Sequence, residues 1–205
     1  MTRMFTKSLV MFRNGIAIAA MLLLSAVALA AQGEKPGPAV NQNAAVAAEF
    51  DQHVANYMKV HQKALTGLTV PKNTESPDKI AEFQRQLAAN IRSLRSDAKQ
   101  GDIFTQEITA LFRDLVAMAM RSSDGPRIRA SFEHAEPIHG IRLDVNQAYP
   151  DGLPLQSMPP SLLLNLPRLP KELEYRFVGR ELILRDIPAN LIVDVIPDLT
   201  EPQKK

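Results

Sequence analysis

Leu173-Glu174-Tyr175-Arg176-Phe177-Val178-Gly179-Arg180-Glu181-Leu182-Ile183-Leu184-Arg185-Asp186-Ile187-Pro188-Ala189-Asn190-Leu191-Ile192-Val193-Asp194-Val195-Ile196 is the stretch that decides the fold. Leu173, Tyr175 and Phe177 alternate with Glu174 and Arg176, the two-residue period of a strand with one buried face. Gly179-Arg180 turns the chain, and Glu181 to Arg185 return with Leu182 and Leu184 on one side. Asp186 to Asn190, with Pro188 inside, turn it again. Leu191 to Ile196 then form a nearly all-apolar third strand interrupted by Asp194. The result is a three-stranded antiparallel meander over 171–197, with Phe177, Leu184 and Val193 expected on its covered face. Two or three strands are barely stable alone in water, so that face needs a cover.

The cover is written upstream. In the first of three helices, about Ala44 to Leu65, Phe50, Val54, Tyr57, Met58, His61 and Leu65 recur at steps of three and four and share one face. A second begins where Ser76 caps, Pro77 fits the first helical position and Asp78 complements the dipole; Ile80, Phe83, Leu87, Ile91 and Leu94 form its apolar stripe, and Gly101 is expected to stop it. The third starts near Thr105, carries Ile108, Leu111, Phe112, Leu115, Val116 and Ala119, and is broken at Ser122 to Pro126. These three predict an antiparallel bundle over 44–121.

Past Asp124 the chain changes character, because 11 of its 15 prolines lie there. Residues 122–170 are expected to be extended and Pro-rich. Ile141, Leu143 and Val145 predict one strand, Tyr149 to Gly152 a turn, and the residues after Pro160 one short helical turn. With 198–205 as a tail, the whole reads as an α+β protein: helical bundle first, extended segment next, β-meander last.

The amino terminus carries an address. Arg3, Lys7 and Arg13 precede an uncharged apolar run from Gly15 to Leu29, and Ala28-Leu29-Ala30 offers small residues at both positions a signal peptidase reads. Residues 1–30 therefore read as a signal peptide, the run being shorter than the roughly 20 apolar residues a membrane span needs. Residues 31–43 read as a flexible lead-in. Without cysteine the chain can be neither a lipoprotein nor disulfide-bonded, so the expected destination is the periplasm or the exterior, with no membrane attachment once the signal is cleaved. Of 24 basic and 22 acidic residues, three basic and no acidic ones lie in the leader, leaving 21 against 22. A near-neutral mature chain gives no basis for a nucleic-acid partner.

Candidate chemistry is sparse. Glu133, His134, Glu136 and His139 form the densest group of metal-ligand types, suited to zinc, nickel or copper if the loop gathers them, although Pro137 forbids the helix of a His-Glu-x-x-His site. His53 and His61 are separated by about 12 Å of helical rise and cannot share an ion. Glu49 and His53 read as a surface pair, and His61 as a hydrogen-bonded interface residue. Arg85, Arg92, Arg95 and Lys99 form a basic strip on the second helix that reads as a solvated face, with phosphate, acidic polysaccharide or an acidic partner as the functional alternative. No phosphate loop, nucleophile elbow or convergent catalytic set is legible.

Ala98-Lys99-Gln100-Gly101-Asp102-Ile103-Phe104-Thr105, together with Tyr175 to Arg180 and Ala189 to Asp194, resembles segments of a group of uncharacterised exported bacterial proteins over roughly Pro77 to Pro197. The resemblance implies export and brings no activity, cofactor or catalytic residue. The hairpin from Tyr175 to Ile196 is more distantly similar to the carboxy-terminal hairpin of periplasmic nickel and cobalt homeostasis proteins. The Leu-Thr-x-x-Gln repeat of small periplasmic chaperones is absent. The functional expectation is an exported, non-enzymatic interaction module of the cell envelope with a protein partner and no cofactor. The alternatives are a periplasmic protein holding a divalent transition metal at Glu133, His134, Glu136 and His139, and a hydrolase with a dispersed site.

Overall fold

The computed structural model describes residues 41–72, 76–133, 142–150 and 158–199, except for the side chains of 132 and 133. The expected leader, residues 31–40 of the lead-in and the tail from 200 fall outside them. Among the described residues five helices, α1 (Gln42–Ala64), α2 (Pro77–Leu94), α3 (Gln106–Arg121), α4 (Gly125–Glu133) and α5 (Pro160–Leu163), precede three strands, β1 (Leu173–Val178), β2 (Glu181–Asp186) and β3 (Leu191–Ile196). The architecture is α+β, helices before sheet, as the residue periodicities require.

The amphipathic spacing sets which helix faces are covered. Phe50, Val54, Tyr57, His61 and Ala64 of α1 are buried, as are Leu87, Ala88 and Ile91 of α2 and Ile108, Leu111, Phe112, Val116 and Ala119 of α3. Thr105 caps α3 by accepting the Ile108 amide at 3.4 Å. Ser76 caps α2 differently from expectation: its side chain makes no capping bond, and its carbonyl accepts the Lys79 and Ile80 amides at 3.0 and 3.2 Å. Nor is Gly101 the stop of α2, which ends at Leu94; with φ of 91°, Gly101 instead shapes the loop that follows.

Residues 122–170 also depart from the extended reading, because α4 lies within them. Pro126 falls in its first turn, where a missing N–H costs nothing, and Ile128 is wholly buried in the core. Gly125 starts α4 so close to α3 that a Cβ there would lie 2.0 Å from the Met120 carbonyl oxygen. The single turn expected after Pro160 is α5. The strand expected around Leu143 and Val145 does not form: residues 142–144 have no regular structure, Val145 is in a turn, and Ile141 lies outside the described residues. Asn146, at φ of 64°, breaks the alternation, and the chain then runs along β3. The Asn146 and Tyr149 amides donate to Ile192 and Asn190 carbonyls and the Ile192 amide to Gln147, each at 2.9 Å, with one bridge between Ala148 and Leu191.

The sheet order is β1-β2-β3, antiparallel throughout. Leu173, Tyr175 and Phe177, with Leu182 and Leu184, face the helices, as does Val193. Val178, Ile183, Ile192 and Val195 face the other way and pack with Tyr149 and Leu143. Leu184 pairs with Asp194 but Arg185 with Ile192, so Val193 is an extra residue, a β-bulge. The bulge turns both Val193 and Asp194 toward the helices. Phe50 of α1 centres the junction, with ring centroids 5.9 Å from Phe104, 5.1 Å from Phe112 and 6.5 Å from Tyr175. Among the described residues no helix is long and apolar enough to cross a membrane.

Candidate functional site

Two buried carboxylates tie the helices to the sheet. Asp186, at the end of β2, is 0% exposed and His61 1%. Asp186 Oδ2 lies 2.5 Å from His61 Nδ1 and accepts the Tyr57 hydroxyl at 2.7 Å, while Oδ1 accepts the Ala189 amide at 2.9 Å. Tyr57 and His61 are four apart on α1, so one helical face presents both to the same carboxylate. Burial first, and then the neighbouring Asp186 charge, push the Tyr57 phenol above its ordinary range; the Arg95 cation, 5.0 Å over its ring, offsets part of that rise. A His–Asp pair supplies two of the three members of a hydrolase triad. Enclosed this completely, it offers no surface to a substrate and acts as a lock between α1 and β2. His61 is thus the hydrogen-bonded interface residue its place on the stripe predicts.

Asp194 is the second tie. Its Oδ2 accepts the Ile103 and Phe104 amides, both at 2.8 Å, and Oδ1 accepts those of Gly101 at 3.0 Å and Val195 at 2.8 Å. Burial pushes this carboxyl above its ordinary value, and the amides of Phe104, Gly101, Ile103 and Val195 offset part of the rise. Three of those donors come from the loop between α2 and α3. The segments 98–105 and 189–194, far apart in the chain, therefore meet at one side chain.

The basic strip is not a continuous face. Arg85 pairs with Glu82 at 2.5 Å on the surface, whereas Arg92 donates to the Asn146 carbonyl at 2.7 Å. Arg95 reaches the Val193 carbonyl at the bulge at 3.4 Å and receives an Asn146 side-chain bond on its own carbonyl at 2.7 Å. Arg92 and Arg95 are thus engaged inward, fastening α2 to the segment alongside β3. Glu49 and His53 are the surface pair expected, 3.6 Å apart. Of the metal candidates, Glu133 closes α4, and its side chain together with His134, Glu136 and His139 lies outside the described residues. Among the described residues no three His, Cys, Asp or Glu side chains gather to hold an ion.

Among the described residues a cleft of about 650 Å³ lies between the Pro/Leu segment and β1, within the roughly 300–1,000 Å³ of ligand sites. Leu162 and Leu166 anchor the segment in the core, and the Tyr175 hydroxyl donates to the Pro167 carbonyl at 3.0 Å. One helical turn, however, cannot turn every leucine inward. Leu163 and Leu164 are left 47% and 85% exposed at the cleft. Its carboxylate, Glu174, is clamped by Arg176 and Arg185, each at 2.6 Å. Burial alone would raise the Glu174 carboxyl, but the two arginines outweigh it and hold it below its ordinary value. Sequence reading flagged the proline density of 122–170 without seeing a cleft. Compared with protein-family models, curated proteins and solved structures, the chain matches none.

Proposed function

We propose that this chain is an exported protein-interaction module of the cell envelope, working through the Leu/Pro rim of the cleft beside β1. The observation that carries the reading is Leu164, a large apolar side chain 85% exposed on a turn whose neighbours Leu162 and Leu166 are fixed in the core. A contiguous apolar rim presented on a rigid support is the surface a binding partner covers. Export is supported by the residues of the leader, Arg3 to Ala30. The bonded, enclosed carboxylates Asp186 and Asp194 serve the fold in this reading.

The test is site-specific photo-cross-linking in intact cells, with a benzophenone side chain placed at Leu164 or, as a control of comparable exposure, at Val70, which is 63% exposed. A discrete cross-linked protein at position 164 and none at position 70 is expected. Equal labelling at both positions would contradict the reading. Mass spectrometry of the exported material should find a mature start at or within a few residues of Ala31, and retention of Met1 would contradict export.

A further inference from the structure

The charges around the cleft are unequal in availability. Glu174 is held by Arg176 and Arg185, so its charge is spent within the wall. Arg168 and Lys171, which also line the cleft, are exposed and form no ion pair among the described residues. The described lining therefore offers two accessible cations and a neutralised carboxylate around the exposed Leu163 and Leu164. One wall is β1, which stands at one end of the sheet order among the described residues, so the groove follows an extended backbone.

From this complementarity we infer that the cleft takes an extended polypeptide segment of a partner in which acidic and apolar residues alternate. The apolar side chains lie on Leu163, Leu164 and Leu169, and the carboxylates meet Arg168 and Lys171. Alternation is required because an extended chain sends successive side chains to opposite sides, one toward the leucines and the next toward Arg168 and Lys171. A polypeptide accounts for the rim better than a small amphiphile does, since a molecule contained within the cleft leaves Leu164 in water. The charged contacts are exposed and therefore weaken with salt. This inference rests on the interaction-module reading and specifies its partner.

The test uses the full exported chain and two fluorescent octapeptides, one alternating Glu and Leu, the other Lys and Leu, followed by anisotropy. Binding of the Glu-Leu peptide at least tenfold tighter than the Lys-Leu peptide, weakening as salt rises, is expected. The double variant R168E/K171E should reverse the preference, and gain of Lys-Leu binding shows that the variant is folded. Equal binding of both peptides, or a preference unchanged in the variant, overturns the inference. Binding of dodecanoate with neither peptide bound overturns it in favour of a small-amphiphile site. If neither peptide binds while position 164 still cross-links a protein in cells, the charge assignment is wrong and the interaction reading stands.

Discussion

Tyr57 and Tyr149 are both buried, but their hydroxyls differ in what they reach. That of Tyr57 donates to Asp186, whereas that of Tyr149 has no hydrogen-bond partner among the described residues. Tyr57→Phe removes a bond to a buried carboxylate and should cost about 1.5–3 kcal/mol in urea unfolding. Tyr149→Phe removes no bond, keeps the ring under Arg185, whose Cζ is 4.9 Å from its centroid, and takes away a buried hydroxyl without a partner among the described residues, so stability should not fall and should rise by up to about 1–3 kcal/mol. Glu174 gives a pH signature. Its folded carboxyl titrates below its ordinary value of 4.5, so the two arginines contribute stability above that value, and the contribution is lost as pH falls through the folded one. Glu174→Gln should therefore destabilise at pH 7, with the penalty shrinking only once melts are taken below the ordinary value of 4.5 and vanishing below the folded carboxyl's own lower value. A penalty that persists there would mean that shape, and not charge, holds the arginines.

At the scale of elements, Asp194 joins the α2–α3 loop to β3. Asp194→Asn replaces one oxygen by a donor that faces two amides, and buried donors left unsatisfied cost about 1–3 kcal/mol each. A loss of about 2–4 kcal/mol is expected, with faster hydrogen exchange at the Ile103 and Phe104 amides. The elements themselves were largely legible in the sequence, because periods of two and of three to four are local consequences of one-sided burial. Leu173, Tyr175 and Phe177 lie on the side their alternation requires, and Phe50, Val54, Tyr57 and His61 share the buried stripe of α1. What escaped depends on neighbours distant in the chain. Pro126 reads as a breaker until α4 is seen to start one residue before it. The bulge at Val193 has no signal in a run of apolar residues, so the turning of Asp194 toward Gly101 and Phe104 could not be read from Leu191 to Ile196 alone. The partners of Arg92 and Arg95 likewise lie some 50 and 100 residues away, on Asn146 and Val193.

Across the described body, the residues that stabilise the fold and those proposed to meet a partner are separated in space. The aromatic cluster around Phe50 and the buried Asp186 and Asp194 hold helices and sheet together, while Leu163, Leu164, Arg168 and Lys171 project from a segment fixed by Leu162 and Leu166. This arrangement was only half legible, since the proline density was plain but which leucines face outward depends on the packing of α5. Leu164→Glu should leave the unfolding free energy within about 0.5 kcal/mol of the parent, as a surface change does. The same substitution places a charge at the centre of the proposed contact. The most direct measurement is quantitative mass spectrometry of what co-purifies from cross-linked cell envelopes with the parent chain and with Leu164→Glu, expressed equally and shown to melt alike. The account predicts a protein recovered in near-stoichiometric amount with the parent and depleted at least tenfold with the variant; an identical recovered set from both chains would contradict it.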